Sequence, residues 1–104
     1  MLSEKVALGT ALLDVPRRYL GFEGTEISLT TAEFELLRAF AEKLGQTCTR
    51  DDLFLRLVGR PWDGKSRAID VGVGRLRRKL REETRGYLWI HSVRNVGYQL
   101  VIRA

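Results

Sequence analysis

Apolar and polar positions alternate in short runs over the first thirty residues of the chain. The runs KVALG, ALLDV, RYLGF and TEISLT show this alternation, and Pro16, Gly21 and Gly24 separate them. Period-two alternation interrupted by proline and glycine is typical of β-strands joined by turns. The segment therefore predicts three to four short antiparallel strands in a meander.

The spacing changes to a helical period at Thr30. Thr30 and Glu33 match a capping box, in which each side chain accepts a hydrogen bond from a backbone N–H that the helix leaves unpaired. Apolar residues then recur every three or four positions. Gly45 is predicted to end this first helix in the left-handed conformation.

Two more helices are predicted before the pattern changes again. The second starts at Thr49, has acidic residues in its first turn where the helix dipole favours them, and ends at Gly59. Residues 59–65, GRPWDGK, have the composition of a loop. Ser66 is predicted to cap a third helix that runs to about Glu83.

The alternation of period two returns beyond Tyr87. The runs WIHSV and YQLVI are typical of strands, and the segment from Arg94 to Gly97 between them predicts a tight turn in which Asn95 or a glycine adopts positive φ. The order of elements is therefore strands, three helices and a terminal hairpin, which is an α+β class domain.

The third helix is predicted to have two unlike faces. At 3.6 residues per turn, the stripe that a core would bury consists of Ile69, Val73, Leu76 and Leu80. The opposite side carries Arg67, Val71, Gly74, Arg75 and Arg78, with Arg77 and Arg81 flanking it beside Asp70.

Two features of this helix favour contact with a polyanion over the alternative of a solvated surface. No glutamate occurs between Arg67 and Arg81, although soluble helices usually mix charges of both signs. Each internal glycine costs roughly 1 kcal/mol relative to alanine. Gly74 would let a large partner approach the backbone, and Gly72 would permit close helix packing. A helix in the DNA major groove accounts for the charge and the missing bulk together; a neutral surface position at Gly74 is the alternative.

Composition supports a small DNA-binding domain and argues against an enzyme. The 104 residues have a formal net charge of +5, which favours anionic partners, and are predicted to form one domain over residues 1–104.

A single cysteine, Cys48, excludes an intrachain disulfide, and the longest apolar run is far short of the ~20 residues that span a bilayer. We therefore expect a cytoplasmic protein without metal or cofactor. The one histidine, His91, lies in a predicted strand without a partner ligand, and the aspartates fit caps and turns.

The chain resembles the effector domains of the OmpR/PhoB family of bacterial response regulators over nearly its whole length. LTTAEFELL is similar to the opening of the family's first helix, and TRDDLFLRLVG to its second helix. RAIDVGVGRLRRKL is similar to its recognition helix, and SVRNVGYQL to its wing. The resemblance implies a winged helix-turn-helix that binds DNA specifically and regulates transcription, with residues 66–83 in the major groove and residues 93–98, the wing, in the minor groove.

The resemblance also implies a role for particular residues. Phosphates would be held by Arg50, Arg67, Arg77, Arg78 and the hydroxyl of Tyr98. Val71 and Arg75 would meet base edges in the major groove, beside Gly74, and Arg94 would enter the minor groove. The loop with Arg60, Trp62 and Lys65 lies where family members contact RNA polymerase.

This sequence departs from the family pattern at four positions. Gly72 and Gly74 replace residues that are often polar, which predicts sparser base readout. Val58 stands where tryptophan is frequent before the helix-ending glycine, and Trp62 follows in the loop. Asn95 replaces the usual wing glycine, and asparagine tolerates positive φ.

The implied partners are double-stranded DNA at direct-repeat half-sites, RNA polymerase holoenzyme, a second copy of the domain, and a sensor kinase acting through a receiver domain. We expect the receiver domain to be separated from this fragment, with residues 1–4 as linker or an added start; a different activation logic is the alternative. The competing hypothesis is a winged helix that contacts protein or RNA, with Trp62 as an exposed anchor; Trp89 is expected to pack its strand onto the helices.

Overall fold

Four short strands open the domain in the computed structural model, which describes residues 4–103. They are β1 (Lys5–Leu8), β2 (Ala11–Asp14), β3 (Tyr19–Phe22) and β4 (Thr25–Ser28), paired antiparallel in that order. Leu13, Leu20 and Ile27 lie opposite one another across three strands and are buried. The alternation in the sequence thus forms a sheet with one apolar face, and the predicted meander is confirmed.

Helix α1 (Thr31–Ala41) begins with the predicted capping box. The hydroxyl of Thr30 accepts from the backbone N–H of Glu33 at 3.1 Å, and the Glu33 carboxylate accepts from the N–H of Thr30 at 2.9 Å. The predicted end at Gly45 is wrong, because the helix stops at Ala41. Gly45 has the expected positive φ of 79°, but its N–H donates to the carbonyl of Leu100 at 3.1 Å in the turn that follows.

A strand that the sequence pattern did not predict follows this turn. Strand β5 (Thr47–Thr49) pairs with the last strand of the chain, placing Thr49 opposite Gly97. Its three residues are too few to show an alternation. A side chain at Gly97 would overlap the carbonyl oxygen of Cys48, so the close approach of β5 requires glycine there.

Helix α2 (Arg50–Val58) has the predicted caps, and helix α3 (Ala68–Thr84) differs slightly from prediction. Thr49 accepts from the N–H of Asp52 at 3.0 Å, and Gly59 ends α2 with a φ of 87°. The N-cap of α3 is Arg67 rather than Ser66. Ser66 lies one residue earlier, and its hydroxyl accepts from the N–H of Ala68 at 3.2 Å.

The chain ends in a hairpin of β6 (Leu88–Val93) and β7 (Gly97–Ile102). Asn95 in the connecting turn has a φ of 63°, as the sequence predicted. The second sheet has the order β5-β7-β6, so β6 is an edge strand.

One core lies between the two sheets and the three helices. Helix α3 contributes its predicted stripe, Ile69, Val73, Leu76 and Leu80, each at most 3% exposed. Full burial of one such side chain stabilises the fold by roughly 1.5–3 kcal/mol. The α+β prediction is confirmed as a winged helix-turn-helix, with α2 and α3 as the helical pair and the β6–β7 hairpin as the wing. No helix within residues 4–103 combines the length and apolar character that crossing a membrane requires.

We predict that Gly97→Ala destabilises the domain by about 1–3 kcal/mol, the range of overpacked sites. A glycine-to-alanine substitution in a strand ordinarily stabilises the fold, because alanine restricts the unfolded chain. At Gly97 the steric overlap with Cys48 makes the change in the free energy of unfolding destabilising instead. Urea unfolding of both proteins measures the difference. Gly74→Ala is the matched control, because a Cβ there meets no atom within 4 Å. Equal stability of Gly97→Ala and the wild type would contradict the close approach.

Candidate nucleic-acid interface

The side of α3 opposite its buried stripe is exposed, as the sequence predicted. The side chains of Arg67 and Arg78 are 80% and 73% exposed, and Val71 is 49% exposed. Arg75 is also exposed. The interface face, as we call it, consists of Arg67, Val71, Gly74, Arg75 and Arg78.

The two glycines of α3 have different environments. A Cβ at Gly74 would have no atom within 4 Å, so the helix backbone is bare at the middle of the interface face. A Cβ at Gly72 would lie 3.4 Å from Cδ2 of Leu36 in α1. A Cβ at Gly72 would thus be in contact with α1, whereas no packing within the described domain requires Gly74.

One carboxylate, Asp70, connects three elements at the start of α3. It accepts from Nε of Arg50 at 2.9 Å and from the hydroxyl of Tyr98, and Nε of Arg67 lies 3.5 Å away. Partial burial raises the pKa of Asp70, but the hydrogen bonds from Tyr98 and Arg50 and the nearby arginine charges outweigh it, so the pKa lies below its ordinary value. Asp70 is thus ionised and neutralised within the domain.

This network occupies groups that the sequence analysis assigned to phosphates. The proton of the Tyr98 hydroxyl is donated to Asp70, and burial together with that hydrogen bond raises the pKa of Tyr98. Arg50 also donates to the hydroxyl oxygen of Tyr98 at 3.3 Å, while its side chain stays 29% exposed. Arg50 therefore stays partly accessible, whereas the single proton of the Tyr98 hydroxyl, which a phosphate contact would need, is already donated to Asp70.

Arg77 joins α3 to the wing. Its Nε donates to the carbonyl of Ile90 at 2.9 Å, and its Nη2 donates to the hydroxyl of Ser92 at 3.1 Å. The guanidinium lies 5.3 Å from the centre of the Trp89 ring. These donors are directed at the hairpin, and phosphate contact by Arg77 stays a prediction.

The two tryptophans have different environments, and that of Trp62 differs from the expectation. Leu88 and Ile90 face the core, so Trp89 lies on the other face of β6 with Arg77 and Arg103 over its ring. Trp62 is half-buried against the core, and its Nε1 donates to the carbonyl of Ser66 at 3.0 Å. The expectation of an exposed Trp62 anchor is therefore wrong, because the ring folds the loop onto the domain.

The remaining predicted residues lie at exposed positions. Arg94 is at the exposed tip of the wing, and Arg60 and Lys65 are exposed in the loop between α2 and α3. Asp63 accepts from the N–H groups of Lys65 and Ser66 at 2.8 and 2.9 Å, which fixes the end of that loop.

The sequence did not predict the network around Asp70. The available signal was that Asp70 is the one acidic residue between Arg67 and Arg81. Its partners Arg50 and Tyr98 are 20 and 28 positions away in the chain, so no local pattern connects them.

The chain is similar to a described protein family and to named proteins. The family model described as "Transcriptional regulatory protein, C terminal" matches residues 24–100. Over 90 residues the chain is 43% identical to the transcriptional regulatory protein RstA of Escherichia coli K12. The match covers 86% of this chain and 38% of that protein, so the chain spans well under half the length of this relative.

Solved structures agree with the sequence comparison. The DNA-binding domain of Klebsiella pneumoniae RstA, crystallised in complex with the RstA box, aligns with a TM-score of 0.84 at 34% identity, covering 94% of this chain and 97% of that one. The DNA-binding domain of E. coli CpxR aligns with a TM-score of 0.83 at 32% identity, covering 98% of this chain and 100% of that one. The chain therefore belongs to the family of C-terminal domains of transcriptional regulatory proteins, of the OmpR/PhoB type that its motifs indicated.

Proposed function

We propose that this chain binds double-stranded DNA sequence-specifically and regulates transcription as the effector domain of a two-component response regulator. The observation that carries the proposal is the interface face of α3, which presents arginines around a bare stretch of helix backbone at Gly74. An α-helix of this kind fits the major groove, where base edges can be reached.

The charge distribution supports contact with a duplex. Arg67 and Arg78 are largely exposed, and the one carboxylate within this run, Asp70, is neutralised by arginines. We assign Arg50, Arg67 and Arg78 to phosphates and Val71 and Arg75 to base edges, where valine meets a thymine methyl and arginine binds guanine. Arg77 and Tyr98 contribute chiefly by holding the wing.

The wing supplies the second point of contact in this proposal. Its turn exposes Arg94, and arginine is attracted to the strong negative potential of a narrow, A/T-rich minor groove. The structural likeness to the K. pneumoniae RstA DNA-binding domain, which was crystallised in complex with the RstA box, supports DNA binding by this domain.

The proposed partners beyond DNA follow from the family. One domain of this size covers about half of a typical operator, so we propose that two copies bind direct-repeat half-sites. A sensor kinase would act through a receiver domain in the full-length regulator. Exposed Arg60 and Lys65 mark the loop that we assign to RNA polymerase holoenzyme, with Trp62 as its internal support.

Selection of bound sequences from a random duplex pool tests the proposal. We expect one enriched motif, bound with a log–log salt slope of about 0.9 per phosphate contact. The competing hypothesis, a winged helix that contacts protein or RNA, predicts no enriched duplex motif and tighter binding to RNA or to a protein partner.

Arg75 and Arg78 should respond differently to truncation. Arg75→Ala is expected to lose roughly 1–3 kcal/mol of discrimination at one base-pair position, because a bidentate base contact is removed. Arg78→Ala should weaken binding to all duplexes about equally and reduce the salt slope by about one unit, because only a phosphate contact is lost. Titration of both variants against single-position variants of the selected duplex measures this. Uniform loss in Arg75→Ala would reassign Arg75 to a phosphate.

Gly74→Ala should stabilise the domain and weaken DNA binding at the same time. Alanine favours the helix by roughly 0.8–1 kcal/mol, and the open space around Gly74 offers no opposing clash. A methyl group between helix and groove should lower affinity for the selected duplex at least about tenfold, or ~1.4 kcal/mol. Urea unfolding and duplex titration give the two values. Higher stability with unchanged affinity would make Gly74 a neutral surface position.

Substitution of the exposed loop arginine and lysine should separate transcription from DNA binding. Arg60→Ala with Lys65→Ala is expected to lower activated transcription by the full-length regulator while duplex affinity stays unchanged, because neither residue lies on the interface face. In vitro transcription with RNA polymerase holoenzyme is the measurement, and Lys5→Ala is the control for loss of a surface charge. Full activation by the loop variant would contradict the polymerase assignment.

A further inference from the structure

Asp70 stands in the first turn of α3, one residue before Val71 of the interface face. A negative charge beside a DNA phosphate lowers affinity, so simple electrostatics opposes a carboxylate at this place. The helix dipole favours an acidic residue in the first turn, but that preference is worth only about 0.3–1 kcal/mol. The contacts of Asp70 explain its presence better.

Asp70 ties together the three elements that the proposed function brings to DNA. Arg50 is the first residue of α2, Asp70 itself is on α3, and Tyr98 is the second residue of β7, close to the turn of the wing. Nε of Arg50 and the hydroxyl of Tyr98 both donate to Oδ1 of Asp70, and the carboxyl side chain is only 17% exposed. The Arg50 guanidinium also stacks 5.0 Å from the centre of the Tyr98 ring.

The wing has a second attachment further along α3. Arg77, two helical turns after Asp70, donates to the carbonyl of Ile90 and to Ser92 in β6. Asp70 therefore fixes β7 and Arg77 fixes β6, so each strand of the hairpin has one polar attachment to the same helix. The hairpin is already held by the buried Leu88, Ile90 and Leu100 and by the pairing of β7 with β5, and the two polar attachments add a fixed position of each strand relative to α3.

We propose that Asp70 is a positioning residue that sets the wing and Arg50 relative to α3, so that major-groove, minor-groove and phosphate contacts form simultaneously on one duplex. This inference rests on the proposed DNA binding and deepens it. Asp70 itself contacts no DNA in this proposal. It changes DNA affinity by setting the positions of Arg50, Tyr98 and the wing.

The test is Asp70→Asn, because the loss of charge and the loss of positioning predict opposite changes in affinity for DNA. Asparagine keeps the size of the side chain and removes one negative charge, so electrostatics alone predicts tighter DNA binding. Loss of the charged hydrogen bonds to Arg50 and Tyr98 predicts weaker binding, by about tenfold or more. The probe is the duplex selected by the wild-type chain, with A/T-rich or G/C-rich flanks.

Glu82→Gln is the matched control, because Glu82 pairs with Arg78 on the same helix at 3.1 Å. The Glu82→Gln variant should bind the selected duplex as tightly as the wild type or more tightly.

Flank preference separates positioning from mere destabilisation. We expect Asp70→Asn to lose the preference for A/T-rich flanks, as Arg94→Ala should, while circular dichroism shows a folded domain. Tyr98→Phe keeps the ring and removes only the hydroxyl, so it tests the same attachment should Asp70→Asn fail to fold. The double variant of Asp70→Asn and Tyr98→Phe should bind no more weakly than Asp70→Asn alone, because both remove one network.

The outcomes distinguish the two levels of the proposal. If the wild-type chain enriches no duplex, DNA binding itself fails and the role of Asp70 fails with it. If the wild type binds and Asp70→Asn binds equally or more tightly, only the positioning role is overturned. The same holds if Asp70→Asn does not fold and Tyr98→Phe keeps wild-type affinity and flank preference.

Discussion

Burial of one side of α3 determines where the charged groups of this domain lie. Ile69, Val73, Leu76 and Leu80 are inaccessible to water, and removal of such a stripe from the core would cost several kcal/mol. The helix therefore has one allowed rotation about its axis. The arginines on its other side are held outward by that constraint, with no need for contacts of their own to orient them.

The core fixes the rotation of α3 about its axis, and polar contacts around α3 then fix the positions of the neighbouring elements. Lys79 donates to Glu33 at 2.7 Å and to the carbonyl of Ser28 at 2.9 Å, which joins α3 to the cap of α1 and to β4. Burial raises the pKa of Glu33, but the hydrogen bonds from Lys79 and Thr30 dominate and the pKa is lowered. Asp70 and Arg77 make the corresponding connections to the wing. Apolar packing thus selects the face of the helix, and ion pairs select the placement of its neighbours.

Local rules in the sequence predicted the features that depend on local physics. The capping box at Thr30, the cap at Thr49, the left-handed Gly59 and the turn at Asn95 each involve residues within three positions of one another. The amphipathic pattern of α3 was equally readable, because its stripe recurs over three turns. These parts of the fold, and the exposed arginine face, follow from the sequence without tertiary information.

The features that the sequence did not predict depend on distant partners. Strand β5 is defined by its pairing with β7, and Gly45, which follows the end of α1, donates to the carbonyl of Leu100. Trp62 packs against the core and holds its loop there, and the composition of the loop alone does not predict this contact. Asp70 lies in the predicted helix, yet its partners on α2 and β7 become neighbours only after the chain has folded.

The edge position of β6 has a consequence for solubility. An open strand edge is a template on which strands from other molecules can add, and natural proteins protect such edges with charged side chains. Arg77 fills the outward carbonyl of Ile90 and brings a positive charge to that edge. The same guanidinium that fastens the hairpin thus occupies a backbone acceptor on which a strand of another molecule would otherwise pair.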